Sequence, residues 1–139
     1  MKQQLITNSF EETQQFGFEL AQNLNDVKVI ALHGDLGAGK TTFVQGFAKG
    51  LGITKQIISP TFIIMRTYDI GDKNFYHVDL YRIEDEKDVE GLGLLEIIKD
   101  DSSIVVIEWP EKIENLLPDK RIDLFFQYLD EDKRIIVVE

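Results

Sequence analysis

The chain has 139 residues, of which 43% are hydrophobic, so it is long enough for one compact domain with a substantial core. It contains no Cys, which excludes a disulfide framework and a thiolate metal site. Its net charge of −10 and its scattered lysines disfavour autonomous binding of nucleic acid, because a phosphate backbone calls for a basic face. No apolar run approaches the roughly 18 residues of a membrane span. We therefore expect a single cytoplasmic domain over residues 1–139, without membrane association.

The first half of the chain alternates helix and strand signals. Ser9 and Glu12 have the spacing of a capping box, with Glu12 reaching back. Apolar residues then recur at helical intervals, which predicts a helix over residues 10–24. Residues 27–33 form a short apolar run that ends at a glycine, as is typical of a buried strand. The next helix is predicted over residues 39–51, with glycines at its end.

Strand signals dominate the second half of the chain. The turn "IGDKN" joins two β-rich runs as a hairpin, and the turn "DEDK" joins two more near the C-terminus. Mixed helix and strand signals predict an α/β fold: a mixed, mostly parallel sheet flanked by helices, with antiparallel hairpins. The predicted elements are strands at 61–69, 75–81, 104–107, 121–129 and 134–139, and a short helix at 92–98.

The stretch "GDLGAGKTT" has the spacing of a phosphate-binding P-loop, Gly-x-x-x-x-Gly-Lys-Thr. The alternative is a glycine-rich turn that precedes a lysine by chance. The predicted strand before it and helix after it favour a P-loop, and hence a P-loop NTPase-like domain. The residues predicted to hold nucleotide phosphates are Gly34, Asp35, Leu36, Gly37, Ala38, Gly39, Lys40, Thr41 and Thr42.

Within this loop, backbone N–H groups curl around phosphate oxygens and the helix N-terminus favours negative charge. Lys40 should reach the β- and γ-phosphates, and the Thr41 hydroxyl should ligate Mg²⁺. We expect the Lys40 side chain to face solvent until phosphate arrives. Thr42 either touches the α-phosphate or simply begins the helix.

A P-loop needs an acid at the end of a neighbouring strand to hold the shell of the metal. "IVVIEW" supplies Glu108 at the carboxyl end of a buried run, the sheet edge at which ligands bind in open α/β sheets. The alternative is that Glu108 marks only the point where the strand reaches solvent. The P-loop in the same chain favours a Mg²⁺ role for this carboxylate.

The strand "FYHVDLYR" places His77 and Asp79 on one face and Tyr76 and Val78 on the other, because side chains alternate along a strand. Asp79 either orients an attacking water or holds a metal-bound water, or it is structural. His77 has the same two interpretations, and a structural role is the commoner one for a lone histidine on a strand.

Two further segments carry candidate functional residues. In "SPTF", the rigid turn at Pro60 is followed by the hydroxyl of Thr61, which either senses the γ-phosphate as a switch segment does or marks a plain loop-to-strand junction. Trp109 and Pro110 follow Glu108 and either shape a pocket or docking surface or serve packing.

Taken in order, "GDLGAGKTTF", "SPTF", "HVDLYR" and "IEWPEK" resemble the TsaE (YjeE) family of small bacterial P-loop ATPases. These segments span residues 34–112. A P-loop alone is weak evidence for a family, whereas the other three motifs are specific to this one. The resemblance implies an ATPase, with ATP and Mg²⁺ as ligands, that assists the TsaB and TsaD proteins in making N6-threonylcarbamoyladenosine in tRNA. It implies contact with tRNA only through that complex.

Carried onto this chain, the resemblance implies a role for each motif residue. Lys40 and Asp79 would serve hydrolysis, and Thr61 would belong to a switch-like segment. Thr41 and Glu108 would hold Mg²⁺. The resemblance also implies that Arg134 lies near the adenine base.

Two other functions fit the motifs less well. A small-molecule phosphotransferase usually adds a lid and several arginines, but this chain has only Arg66, Arg82, Arg121 and Arg134 and no second glycine-rich segment. A binding module that uses nucleotide as a signal with negligible turnover is not separable by sequence from a slow ATPase. A GTPase is disfavoured by the lack of an Asn-Lys-x-Asp motif.

Overall fold

A computed structural model describes residues 2–60 and 64–139 of the chain. Two 3₁₀ helices, Glu86–Leu92 and Pro110–Leu116, accompany its strands and α-helices. The described strands and α-helices, in chain order, are β1 (Gln3–Thr7), α1 (Phe10–Gln22), β2 (Val29–His33), α2 (Lys40–Gly50), β3 (Met65–Asp69), β4 (Asn74–Asp79), α3 (Leu94–Lys99), β5 (Ser103–Glu108), β6 (Ile122–Tyr128) and β7 (Arg134–Val138).

All of the described strands join one sheet in the order β1-β7-β6-β2-β5-β4-β3. The central strands β6, β2, β5 and β4 are mutually parallel. β3 and β7 run antiparallel to their neighbours, and β1 pairs antiparallel with β7, so it runs in the direction of the central strands. The fold is therefore the predicted α/β architecture, with a mostly parallel sheet and two antiparallel hairpins.

Helices cover both faces of the central strands. On one face, Phe43 and Phe47 of α2 join a core that includes residues of α1 and of the strands. On the other face, Leu94 of α3 and Ile113 of the second 3₁₀ helix lie in a separate core. Because β2 and β5 are covered on both faces, their sequences "VIALH" and "SIVVI" read as continuous apolar runs rather than as alternating ones.

α1 and α2 approach each other closely because glycines line their contact. A Cβ atom on Gly46 would lie 1.9 Å from the carbonyl oxygen of Gln14, a distance that no side chain tolerates. Gly17 of α1 lies similarly close to the backbone of α2 at Phe43. The two helices therefore pack as one layer that fixes the position of α2, and with it the P-loop, on the sheet.

The predicted elements of the first half lie near their predicted places. Ser9 caps α1 by accepting a hydrogen bond from the backbone N–H of Glu12 at 3.1 Å. The Glu12 carboxylate reaches back to the N–H of Asn8 at 2.8 Å, one residue earlier than a capping box requires. β1 was not predicted, because it is a short edge strand whose exposed, mostly polar sequence lacks a clear alternation.

Two boundaries in the second half differ from prediction for local reasons. β4 ends at Asp79 rather than at residue 81, because the Asp79 carboxylate accepts a hydrogen bond from the N–H of Tyr81 at 2.9 Å and turns the chain. α3 begins at Leu94 rather than at residue 92, because Gly93 has a φ of 72° and separates it from the preceding 3₁₀ helix. Residues 61–63 of the strand predicted at 61–69 lie outside the described residues; the described part of that prediction contains β3.

Among the described residues, no helix is both long and apolar enough to span a membrane.

Candidate nucleotide-binding site

The P-loop connects β2 to α2, as the sequence predicts. β2 ends at His33 and α2 begins at Lys40, with Gly39 at its N-cap. Gly34, Gly37 and Gly39 all have positive φ. A Cβ atom on Gly37 would meet nothing within 4 Å, so the loop is open toward solvent at that point. The first turn of α2 therefore points its free N–H groups toward an open loop, which is the geometry that binds phosphate.

Most of the predicted phosphate-binding residues line one cleft, called here the phosphate cleft. It encloses about 190 Å³. Its P-loop lining consists of Leu36, Gly37, Gly39, Lys40, Thr41 and Thr42, and its other lining residues are Ser59, Asp79, Glu108 and Arg134. Gly34, Asp35 and Ala38 do not line it; Ala38 is buried and donates its N–H to the Asp35 carbonyl at 3.2 Å.

The Lys40 side chain is buried rather than solvent-facing, which corrects the expectation from sequence. Its side chain is only 4% exposed, its Nζ donates to the Gly34 carbonyl at 2.5 Å, and it lies 4.1 Å from the centre of the Trp109 ring. Burial lowers the pKa of the Lys40 ammonium, and the nearby Glu108 and Asp79 carboxylates oppose that shift. The P-loop lysine is thus folded onto its own loop.

The two predicted carboxylates meet at the carboxyl edge of the sheet. Asp79 ends β4 and Glu108 ends β5, and the two residues pair in register between the parallel strands. Each is 4% exposed, and both act on Lys40 electrostatically. Long-range strand pairing therefore brings the P-loop lysine and two buried acids into one cleft.

Glu108 has a partner that the sequence did not assign to it. Nε2 of His77 lies 2.6 Å from Oε2 of Glu108, and the two side chains are 0% and 6% exposed. The sequence indicates only that His77 lies on the same face of β4 as Asp79, because side chains alternate along a strand. The contact itself depends on the pairing of β4 with β5.

The predicted switch residue Thr61 lies outside the described residues. The described residues on either side of its segment do lie at the site. The N–H of Ile64 donates to the Pro60 carbonyl at 2.5 Å, and the N–H of Asp79 donates to the Ile64 carbonyl at 2.7 Å. Ser59 lines the phosphate cleft. The described residues Pro60 and Ile64 are therefore hydrogen-bonded to each other, and Ile64 is also hydrogen-bonded to Asp79.

Arg134 contacts the P-loop and lines the phosphate cleft. It is 6% exposed, its Nη2 donates to the Gly37 carbonyl at 3.2 Å, and its Nη1 donates to three carbonyls of the β6–β7 hairpin. Its guanidinium also lies 4.9 Å from the centre of the Tyr128 ring. The guanidinium therefore joins the hairpin to the loop at the edge of the phosphate cleft.

Trp109 contacts Lys40 beside the cleft. Its backbone is left-handed, with φ of 61°, and its ring lies 5.1 Å from that of Tyr81 as well as over Lys40. Trp109 is not among the lining residues of the phosphate cleft, and it packs against the core that contains Leu94 and Ile113, so both interpretations that the sequence left open remain. A non-glycine residue in this backbone region is uncommon and marks a constrained position.

The residues of the phosphate cleft fit a nucleotide that carries its own Mg²⁺. Within residues 2–60 and 64–139, no three His, Cys, Asp or Glu side chains are grouped to hold a metal ion by themselves. Mg²⁺ in nucleotide sites needs only one or two carboxylates, because phosphates and water supply its other ligands. The Thr41 hydroxyl and the Glu108 carboxylate line the same cleft and are chemically suited to it.

The family of this chain follows from comparison with known proteins. The family described as "Threonylcarbamoyl adenosine biosynthesis protein TsaE" matches residues 7–136. The chain belongs to the TsaE family. The resemblance seen in the four sequence motifs is thereby confirmed, and all four motifs fall inside the matched region.

Individual TsaE relatives match most of the chain. The tRNA threonylcarbamoyladenosine biosynthesis protein TsaE of Bacillus subtilis is 46% identical over 108 residues, which are 78% of this chain and 66% of that protein. The Rickettsia bellii protein of the same name is 39% identical over 136 residues, 97% of this chain and 93% of the relative. The Nostoc protein is 44% identical over 130 residues, 89% and 77% of the two chains.

A solved structure shares the fold. The crystal structure of Bacillus subtilis YdiB superposes with a TM-score of 0.82 at 35% sequence identity, covering 99% of this chain and 84% of that one. The mixed sheet and its flanking helices are therefore an architecture that also occurs in a crystal structure of a similar protein.

Proposed function

We propose that this TsaE-family protein is a Mg²⁺-dependent ATPase that acts in the biosynthesis of threonylcarbamoyladenosine in tRNA. The observation that carries the proposal is the convergence of the P-loop lysine with two buried carboxylates, Asp79 and Glu108, at one edge of the sheet. The family match and the names of the relatives support the pathway.

Each residue at the cleft has a distinct proposed task. The N–H groups at the start of α2 bind phosphate oxygens, and Lys40 leaves the Gly34 carbonyl to bind the β- and γ-phosphates. Thr41 and Glu108 hold the Mg²⁺, which when bound neutralises charge on the phosphates. Asp79 orients the attacking water, and Thr61 belongs to a segment that responds to the γ-phosphate. Arg134 fixes Gly37 of the loop at the edge of the cleft and, as the family resemblance implies, is proposed to lie near the adenine base.

Binding requires a rearrangement of the cleft. Its volume of about 190 Å³ is below the roughly 300 Å³ at which small-molecule sites begin. Lys40 and Trp109 occupy the space beside the loop and are the groups that must move. Displacement of the lysine by phosphate opens the cleft without unfolding the sheet beneath it.

We further propose that turnover is slow in isolation and is stimulated by the TsaB–TsaD complex. Of the four arginines, Arg134 alone is among the described lining residues of the cleft, and carbonyl groups already engage its guanidinium. A partner that supplies a cation or orders the switch segment raises turnover by roughly 10³- to 10⁵-fold in known GTPases. The net charge of −10 repels free tRNA, so tRNA is expected to act only through the complex.

Steady-state ATP hydrolysis tests this proposal in three mixtures: the protein alone, with tRNA, and with the TsaB–TsaD complex. We expect slow turnover alone, little change with tRNA and a large increase with the complex, all dependent on Mg²⁺. Fast turnover by the lone protein, or full stimulation by tRNA without the complex, would contradict the auxiliary role. Transfer of phosphate to a small molecule instead of water would indicate a kinase.

A further inference from the structure

The most buried polar contact at the cleft joins two side chains of neighbouring parallel strands. His77 of β4 is fully buried, and its Nε2 lies 2.6 Å from Oε2 of Glu108 at the end of β5. We propose that His77 is a positioning residue that holds the Glu108 carboxylate in the orientation that binds Mg²⁺. The inference rests on the proposed function, because it concerns the carboxylate assigned to the metal there.

The chemistry of the contact assigns the proton. An ionised carboxylate only accepts hydrogen bonds, so Nε2 of His77 carries the hydrogen and donates it to Oε2. Nδ1 is buried and has no hydrogen-bond partner among the described residues. The polar function of the ring is thus directed at Glu108, although a buried imidazole nitrogen is left unpaired in the core. An apolar side chain of similar size would avoid the free-energy cost of an unpaired buried nitrogen. Packing alone therefore does not explain a histidine at this position.

The sheet holds the imidazole rigidly. His77 pairs with Arg66 of β3 on one side and with Val106 of β5 on the other, so its strand is paired on both sides within the sheet. Its ring stacks at 6.4 Å on that of Phe75, which belongs to the core beneath α2. Glu108 lies two residues beyond Val106, so the ring reaches it along the strand direction, on the face that holds Asp79.

A buried cation, Lys40, lines the same cleft as this carboxylate. Glu108 is the strongest of the charges that act on the buried Lys40 ammonium. The hydrogen-bond partner of Glu108 in the structure is nevertheless His77 rather than Lys40. The hydrogen bond from His77 to Oε2 fixes the orientation of the Glu108 carboxylate, which would then be presented to a Mg²⁺ ion that enters with the nucleotide.

The test compares two substitutions of His77. Glutamine can keep a donor near the position of Nε2, and leucine removes it. The readout is the Mg²⁺ concentration that half-saturates binding of a non-hydrolysable ATP analogue, followed by Trp109 fluorescence, since the chain has one Trp and its ring lies over Lys40. We expect His77→Leu to raise this concentration by about tenfold or more, as for other residues that orient metal ligands. His77→Gln should stay within about threefold of the parent because it retains the donor.

Two controls separate positioning from loss of packing. Phe47→Leu loosens the same core, and the ring contacts of Phe47 are with Phe43 and Phe75 rather than with His77, so it should leave the Mg²⁺ requirement unchanged. His77→Leu combined with Glu108→Gln should require no more Mg²⁺ than Glu108→Gln alone, because His77 acts through that carboxylate. Equal effects of His77→Leu and His77→Gln, or additive effects in the double variant, would overturn the inference.

A nucleotide-free measurement keeps the inference testable if His77→Leu fails to fold. The chain has two histidines, so ¹⁵N NMR of the imidazoles can be assigned with a His33→Gln variant. We expect the Nε2–H form for His77 in the parent and a clear shift of its Nε2 signal in Glu108→Gln. An Nδ1–H form, or no shift, would overturn the inference. If the parent protein binds nucleotide without Mg²⁺, the proposed function and this inference are both overturned. If His77→Leu has the same Mg²⁺ requirement as the parent, only this inference is overturned.

Discussion

Two buried cationic side chains, Lys40 within the P-loop and Arg134 beside it, have different surroundings. Lys40 makes one hydrogen bond within the loop, to the Gly34 carbonyl, and otherwise lies against the Trp109 ring and near two carboxylates. Arg134 donates to four carbonyls, three in the β6–β7 hairpin and Gly37 in the loop. Both side chains are almost fully buried, at 4% and 6% exposure.

The difference indicates that Lys40 can exchange its hydrogen-bond partner for a ligand, whereas Arg134 cannot. Phosphate can replace the single carbonyl contact of Lys40, and burial already lowers the pKa of its ammonium, so an anion that enters restores a favourable environment. Moving Arg134 would break four hydrogen bonds with carbonyl groups at once. We therefore infer that Lys40 is the mobile ligand of the P-loop and Arg134 the clamp that fixes the loop to the sheet.

The largest effect is expected from Lys40→Ala. Loss of charge-assisted bonds to two phosphates costs about 3 kcal/mol, which lowers ATP affinity about 100-fold and abolishes measurable turnover. Thermal unfolding should change little, because the substitution also removes a desolvated ammonium. Lys49→Ala is the matched control, since Lys49 is an exposed lysine in the last turn of the same helix. Unchanged ATP hydrolysis by Lys40→Ala with the same partners would refute the mobile-ligand role.

Asp79→Asn should reduce turnover while ATP still binds. The asparagine can keep the hydrogen bond to the Tyr81 N–H, so the turn after β4 is preserved. Loss of the charge that orients water is expected to lower the rate about 100-fold, within the range for general-base groups. The measurement is a single-turnover rate at saturating ATP, with circular dichroism as a check on folding. An unfolded Asp79→Asn protein would show that this carboxylate serves the structure.

Glu108→Gln should weaken the Mg²⁺ dependence more than nucleotide binding itself. It removes the charge that holds the metal but nearly conserves the shape of the side chain, so a loss of about 30-fold in hydrolysis at limiting Mg²⁺ is expected. A Mg²⁺ titration of turnover measures it. Glu114→Gln, at an exposed position in the following 3₁₀ helix, provides a charge-matched control. If Glu108→Gln and the parent have the same Mg²⁺ requirement, Glu108 is only the end of a strand.

Arg134→Lys should have the smallest effect on nucleotide affinity and a larger one on stability. Lysine keeps the charge but cannot reach several carbonyls as a guanidinium does, so the free energy of unfolding should fall by about 2 kcal/mol. ATP affinity should fall by less than about tenfold. Urea unfolding and binding titrations measure the two quantities, with Arg121→Lys as the comparison. A large loss of affinity without a loss of stability would assign Arg134 to the nucleotide instead of to the loop.

Local patterns predicted the parts of the site that depend on neighbouring residues. The P-loop spacing, the helix after it and the acids at the ends of two apolar strands lie where the sequence put them. The sequence predicts β2 and β5 as strands because burial on both faces gives each of them a continuous apolar run. β1 was missed because an edge strand has weak alternation and owes its structure to pairing with β7.

The sequence by itself determined which chemistry this protein carries: a phosphate-binding loop, a lysine, a hydroxyl and two acids, each with a local signal. Only the tertiary structure decided their contacts. The parallel pairing of β4 with β5 brings His77 to Glu108, and the β6–β7 hairpin carries Arg134 to Gly37. Folding also buries Lys40 under Trp109, although a P-loop lysine is expected to face solvent. These contacts join residues distant in sequence, and sequence periodicity reports only on which face a residue lies, not on which residue faces it.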